Sequence, residues 1–194
     1  MSSTRSKTVA VLGAGPVGLA AAAHLIAHDF EPLVFEASDA AGASFRDFAQ
    51  VRLFSPWRYN VDGASRRLLE QHGWVMPDEE SLPTAGDLAE YYLVPLAHAM
   101  GQRVLLNARV VSVARLGFDK VKSEGRADAP FVVRAAVRGE IREYLADAVI
   151  DATGTWTHPN PLGANGLPAL GESDLRNRIE YGMPDVLGRM AQRY

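Results

Sequence analysis

The 194-residue chain contains no cysteine, which excludes disulfides, thiolate metal sites and a dithiol redox relay within it. It has no basic run, since Arg66-Arg67 is only a pair, and its net charge is −3. Nucleic acid and anionic membrane are therefore not expected partners. His24 and His28 lie i, i+4 on one helix, but no H-E-x-x-H pattern or third ligand accompanies them. They read as a surface pair, and no metal is expected. No Ser/His/Asp arrangement can be defended from spacing. Val9 to Ala27 is almost uncharged, yet it holds three glycines, a proline and His24. Its hydrophobicity comes mostly from alanine and no stop-transfer charges flank it, so it is not read as a membrane span or a signal peptide. Apolar residues make up 47% and charged residues 22%, ordinary for a soluble globular protein with one substantial core. Together these features point to a cytoplasmic protein.

What is present is concentrated between Thr8 and Glu36. Val9-Ala10-Val11-Leu12 is long enough for one buried strand, and Gly13-Ala14-Gly15-Pro16-Val17-Gly18 matches the G-x-G-x-x-G spacing. An alanine-rich segment from Val17 to about Ala27 reads as a helix, and Pro32-Leu33-Val34-Phe35 as a second strand ending on Glu36. Strand, glycine turn, helix, strand and acid follow in the order of a dinucleotide-binding βαβ unit. Gly13 allows the sharp exit from the strand, Gly15 the approach of a pyrophosphate, and Gly18 close packing of helix on sheet. The free N–H groups and positive dipole end of the helix then favour phosphate, and Pro16 is tolerated where the helix begins. Glu36, eighteen residues beyond Gly18, is placed to accept from a ribose hydroxyl pair.

The remaining chain reads as follows. Ala37 to Ser44 is a loop of small residues, and Val51 to Phe54 a short strand broken by Ser55 to Asn60. Phe45, Phe48, Phe54, Trp57 and Tyr59 form an aromatic group expected mainly in the core. A helix is expected over Ala64 to His72, closed by Gly73. Thr84 and Asp87 have the capping-box spacing, so a helix runs from Ala85 towards Met100, kinked or interrupted at Pro95 and ended by Gly101. From Val104 the period becomes two. Val104 to Leu106 and Arg109 to Val113 are strands, and Phe131 to Arg138 pairs with Ile141 to Leu145 about Gly139-Glu140. Gly117 to Pro130 is charged and reads as a mobile connection. Ala146 to Asp151 is a buried strand running into Ala152-Thr153-Gly154. Thr157 to Glu172 is loop, with His158 in it beside Trp156, and Pro184 to Tyr194 a short helix. The fold class is α/β, a Rossmann-like doubly wound parallel sheet with an inserted antiparallel β-meander.

The GAGPVG unit ending in Glu36, the meander and the strand ending Asp151-Ala152-Thr153-Gly154, with Pro159 five residues on, together resemble a known family. The chain is similar to the FAD-binding domain of two-dinucleotide-binding flavoproteins, above all the flavin-containing and Baeyer–Villiger-type monooxygenases. The resemblance implies FAD as cofactor, NAD(P)H as co-substrate of the complete enzyme and a small-molecule substrate. It implies a cofactor-binding set of Gly13, Ala14, Gly15, Pro16, Val17, Gly18, Glu36, Ala37, Ser44, Phe45, Val110, Ala152, Thr153 and Gly154. Within that set the pyrophosphate falls to Gly13, Gly15, Pro16 and Val17, the adenosine ribose to Glu36, and the adenine to the backbone of Val110. Where the monooxygenases carry a glycine pair followed by tryptophan, this chain has Gly42-Ala43-Ser44-Phe45. It also shows no second glycine-rich βαβ unit for NADPH. The expected division is a lead-in over 1–7 and a FAD-binding domain over 8–160, with a helical insertion at 60–101 and the meander at 104–145. Residues 161–194 would then lead to a domain that is absent, leaving a surface for self-association. Two alternatives remain at this level: an NAD-binding dehydrogenase or reductase, and a non-catalytic nucleotide-binding module.

Overall fold

The computed structural model describes residues 6–194, so most of the expected lead-in lies outside the described residues. β1 (Thr8–Leu12) leads through the glycine turn into α1 (Pro16–Ala27) and on to β2 (Glu31–Phe35). Parallel pairing runs from Thr8 opposite Glu31 to Leu12 opposite Phe35. β3 (Val104–Leu105) adds beside β2, and β7 (Ala148–Asp151) adds on the other side of β1. The sheet order is thus β3-β2-β1-β7. The chain grows first one way from β1 and then the other, which makes the β1/β7 boundary a topological switch point, the place where open α/β sheets bind ligands.

Both faces of this sheet are covered, which is why its strands are apolar without alternation. Val11 and Val34 face a helical layer of Leu19, Leu69, Tyr92, Leu93, Leu96 and Met100. Ala10, Leu12 and Phe35 face the meander, with Ala108, Val133, Ala135 and Ala146 beneath them. The Phe35 and Tyr144 rings meet edge to face at 5.0 Å. The meander is β4 (Ala108–Arg115), β5 (Phe131–Val137) and β6 (Glu140–Ala146), antiparallel in that order. Its hairpin turns on Arg138 and Gly139, both at positive φ (51° and 86°), the pattern of a type I′ turn. This is one residue earlier than expected, and Glu140 belongs to β6. Likewise Ala146 closes β6, and only Ala148 onward forms the parallel strand.

The helical layer holds α2 (Ala43–Asp47), α3 (Trp57–Asn60), α4 (Gly63–Glu70), α5 (Ala85–Leu88) and α6 (Val94–Met100). Asp62 caps α4 by accepting from Ala64 N and Ser65 N at 2.9 Å each. Its other oxygen meets His24 Nε2 at 3.0 Å, so the first of the two spaced histidines ties α1 to α4. Burial pushes the Asp62 carboxyl up, but the Ser65 and His24 contacts outweigh it and hold it below its ordinary range. Among the described residues no cluster of three metal-capable side chains exists. The capping box forms as expected, with Asp87 N donating to Thr84 Oγ1 at 3.0 Å and Thr84 N to Asp87 Oδ2 at 2.9 Å.

Of the two outcomes expected at Pro95, the helix is interrupted. A π-turn, Ala89–Leu93, separates α5 from α6. Proline has no N–H to give to the carbonyl four residues back, here Tyr91. The Trp74 indole N–H supplies that bond instead, at 2.7 Å.

Four other expectations change. Val51 to Phe54 is not a strand, because no neighbour is laid beside it beyond one bridge between Arg52 and Thr84. Ala43 and Ser44 belong to α2 rather than to the preceding loop. Of the aromatic group, Phe48 and Trp57 are buried, whereas Phe54 and Tyr59 point to solvent. Pro184 to Tyr194 forms only turns, with no apolar face packed on the core to stabilise a helix. The segment before it, from Leu162 to Tyr181, is organised by Glu172. Its buried carboxylate accepts from Leu162 N, Ala169 N and Tyr181 OH. The Tyr181 bond above all, against a smaller opposing effect of burial, holds the Glu172 carboxyl below its ordinary range. No helix of the described residues is long and apolar enough to cross a membrane.

Candidate functional site

The glycine turn stands where β1 leaves the sheet, and its three glycines differ in what surrounds them. Gly13 has φ +100°, and a Cβ there would lie 2.6 Å from the Ala152 carbonyl oxygen. A Cβ on Gly18 would lie 2.0 Å from the Gly13 carbonyl oxygen. Both are glycine because protein backbone comes too close for a side chain. Gly15 is different: a Cβ there would meet nothing within 4 Å. Its φ of −80° suits any residue, so nothing within the protein demands glycine. The space it leaves is a cradle beside the N-terminus of α1, where no side chain caps the free N–H groups and the first turn carries no acid. A phosphate satisfies both the orphan donors and the dipole.

Glu36 reaches this turn directly. Its Oε2 accepts from Ala14 N at 2.9 Å and its Oε1 from Ser38 N at 2.8 Å. The Glu36 backbone is fixed on both sides, donating to Leu105 O at 2.9 Å and accepting from Ala108 N at 2.8 Å. Each carboxylate oxygen therefore holds one backbone N–H and keeps acceptor capacity for hydroxyl groups.

Across the switch point, Ala152-Thr153-Gly154 leave β7 beside Gly13. Asp151 Oδ1 accepts from Thr153 Oγ1 at 2.7 Å and from Thr153 N at 3.1 Å. These two bonds, led by the hydroxyl, hold the Asp151 carboxyl below its ordinary range despite a little desolvation. On the near side, Gly42 N donates to Ala14 O at 3.0 Å, which seats α2 with Ser44 and Phe45 on the turn. Phe45 packs on Phe48 with ring centroids 5.2 Å apart.

The structure thus brings together Gly13 to Gly18, Glu36, Ala37, Ser44, Phe45 and Ala152 to Gly154. Val110 stands apart in the β4–β5 ladder opposite Ala135, next to a register shift between Val110 and Ser112. β4 is linked to the site at its start, by Ala108 N on Glu36 O and, one residue earlier, Asn107 N on Ser38 O, each at 2.8 Å. Ser38, Asp47, Asp151 and Trp156 were not singled out from the sequence as members of the site. Asp151 and Ser38 act through bonds only two residues along the chain, to Thr153 and Glu36, whereas the Asp47–Trp156 contact spans 109 residues, for which the chain carries no local signal.

Comparison with known proteins agrees with this geometry. Residues 11–74 match the model of an NAD(P)-binding Rossmann-like domain. The chain is 33% identical over 123 residues to a putative flavin-containing monooxygenase 2 of Arabidopsis thaliana, covering 62% of this chain and 25% of that protein. It is 25% identical over 213 residues to a second Arabidopsis protein, the flavin-containing monooxygenase GS-OX-like 9, covering 95% and 44%. Among solved structures, a flavin-containing monooxygenase from Stenotrophomonas maltophilia superposes with a TM-score of 0.55 at 26% identity, over 78% of this chain and 39% of that one. A bacillithiol disulfide reductase from Bacillus cereus, at 24% identity and TM-score 0.60 over 82% and 43%, shares the fold. The chain spans less than half the length of the curated relatives it matches. On fold, turn geometry and sequence match, the chain carries a Rossmann-like domain of the NAD(P)-binding kind over residues 11–74 and is similar to flavin-containing monooxygenases over a larger part of its length.

Proposed function

We propose that this chain is the FAD-binding part of a flavin-dependent, NAD(P)H-using oxidoreductase, a monooxygenase of small molecules. The observation that carries the reading is the Gly15 cradle: a gap with no structural cause, at an uncapped helix N-terminus, with Glu36 held against the same turn. The residues present fit a dinucleotide. Gly13 to Gly18 would hold the pyrophosphate through backbone N–H groups, Glu36 would accept from the ribose, and Thr153 and Gly154 would line the exit from β7. When bound, the flavin supplies the chemistry, accepting hydride from a nicotinamide and activating dioxygen once reduced. This chain's own residues bind and orient. The α1 N-terminus offsets phosphate charge, and Asp151 fixes the Thr153 backbone that borders the crevice.

The division into a domain over 8–160 and a following segment over 161–194, a cytoplasmic location and self-association belong to the same proposal. The last is supported by exposed Leu170 and Leu187 in the second segment. A visible spectrum of the purified chain, taken after FAD addition and gel filtration, tests the reading. Co-eluting bands at about 370 and 450 nm are expected of a protein-bound oxidised flavin. A second reading, an NAD-binding dehydrogenase or reductase, is favoured by the match of residues 11–74 to an NAD(P)-binding model. Thermal stabilisation by NAD but not by FAD would select it.

A further inference from the structure

Two segments that leave the glycine turn in different directions meet again at Trp156. One runs from Gly42, bonded to the Ala14 carbonyl, through α2 to Phe48. The other runs from Ala152, packed on Gly13, through Gly154. Where they meet, the Trp156 indole Nε1 donates to Asp47 Oδ2 at 2.6 Å. The indole also packs on Phe48, with centroids 4.9 Å apart and planes inclined at 41°. Its six-membered ring lies beside Gly182, where a Cβ would come 3.8 Å from Cζ2.

This placement is unlike that of the other two tryptophans, which lie in the helical layer, Trp57 buried and Trp74 bonded to Tyr91. Trp156 has its N–H, one ring contact and one edge held, yet 38% of it stays exposed. A tryptophan needed only for core packing does not require a carboxylate from an exposed helix end to fix its tilt. Here a charge-assisted bond orients a flat apolar surface two residues past Gly154, at the carboxyl end of β7 and beside the switch point where a dinucleotide lies. Rigid aromatic planes recognise flat ring systems by stacking.

We propose that Trp156, oriented by Asp47 and Phe48, is the plane against which the distal ring system of the bound dinucleotide is positioned, the isoalloxazine in the case of FAD. The inference rests on the dinucleotide reading above. Trp156 is the contact residue, and Asp47 is a positioning residue acting through it.

The test titrates the full chain and its Trp156→Ala, Trp156→Phe and Asp47→Asn variants with FAD and, separately, with ADP, which lacks the distal ring. Trp156→Ala is expected to weaken FAD about tenfold, the effect of one aromatic pair, and to leave ADP unchanged. Unchanged ADP affinity also reports that the variant is folded. Bound flavin emission, quenched by contact with the indole, should rise several-fold in Trp156→Phe. Asp47→Asn should give a smaller change of the same sign. Equal FAD affinity and emission in all four proteins would overturn the inference while leaving the dinucleotide reading intact. Equal losses for FAD and ADP would overturn it too, since they would mark a purely structural residue. If the wild-type chain bound neither ligand, the functional reading and this inference would fall together.

Discussion

Replacing Trp74 by Phe probes how the chain tolerates Pro95 within a helical stretch. The indole N–H holds the Tyr91 carbonyl at 2.7 Å, a group that proline four residues later cannot serve. Losing that bond should cost about 1 kcal/mol, less than for a deeply buried carbonyl because Trp74 is only half-buried and water can substitute. The smaller ring also gives up packing beside Tyr92, whose ring lies 6.4 Å away. Together the loss is about 1–2 kcal/mol, a fall in Tm of about 2–8 °C for a chain of this size. The same substitution in a Pro95→Ala background distinguishes the cause. An alanine in place of the proline restores an N–H for the Tyr91 carbonyl, so the cost should shrink by about 0.5–1 kcal/mol, the range of a coupled pair. Thermal unfolding followed by circular dichroism on the four proteins completes the cycle. Equal costs in both backgrounds would refute the claim that the indole replaces the missing proline bond.

Three further outcomes are expected. Gly18→Ala should destabilise by at least about 2 kcal/mol, measured by urea unfolding, because its Cβ would stand 2.0 Å from backbone and outweigh the roughly 1 kcal/mol gain in helix propensity. Glu172 is held below its ordinary value of 4.5 by Tyr181. A depressed carboxylate contributes stability above its unfolded pKa and loses it as pH falls through the folded one. The packing of 155–183 should therefore loosen only below about pH 4.5, and Glu172→Gln should abolish that transition in near-ultraviolet dichroism of Tyr181. Thr84→Ala removes half of the capping box and should cost about 1 kcal/mol, read from the urea midpoint.

The parts of this fold legible from the sequence are those set by short-range chemistry. The turn glycines, Glu36 after the second strand and the Thr84–Asp87 box sit at spacings that backbone geometry dictates, and each stands where its spacing placed it. The hairpin turn was misplaced by one residue because Arg138 adopts the left-handed conformation that Asn or Gly more often fills. The interruption near Pro95 is legible from the proline, but its compensation is not, because that comes from Trp74, outside the helix. The same holds for the site. Glu36 is recognisable as an acid and its bond to Ser38 is local, but its bond to Ala14 and the Asp47–Trp156 contact arise only when β1, β2 and β7 lie side by side.

Calorimetric titration of FAD into the wild-type chain and into Gly15→Ala tests the central claim most directly. At this helix N-cap the lost glycine preference and the reduced unfolded-state entropy are of similar size, each about 0.5–1 kcal/mol, so Tm should hardly move. The account predicts that FAD binds the wild type and binds Gly15→Ala at least about tenfold more weakly, because the new methyl group fills the phosphate cradle. Equal affinity in the two proteins, or none in either, would contradict it.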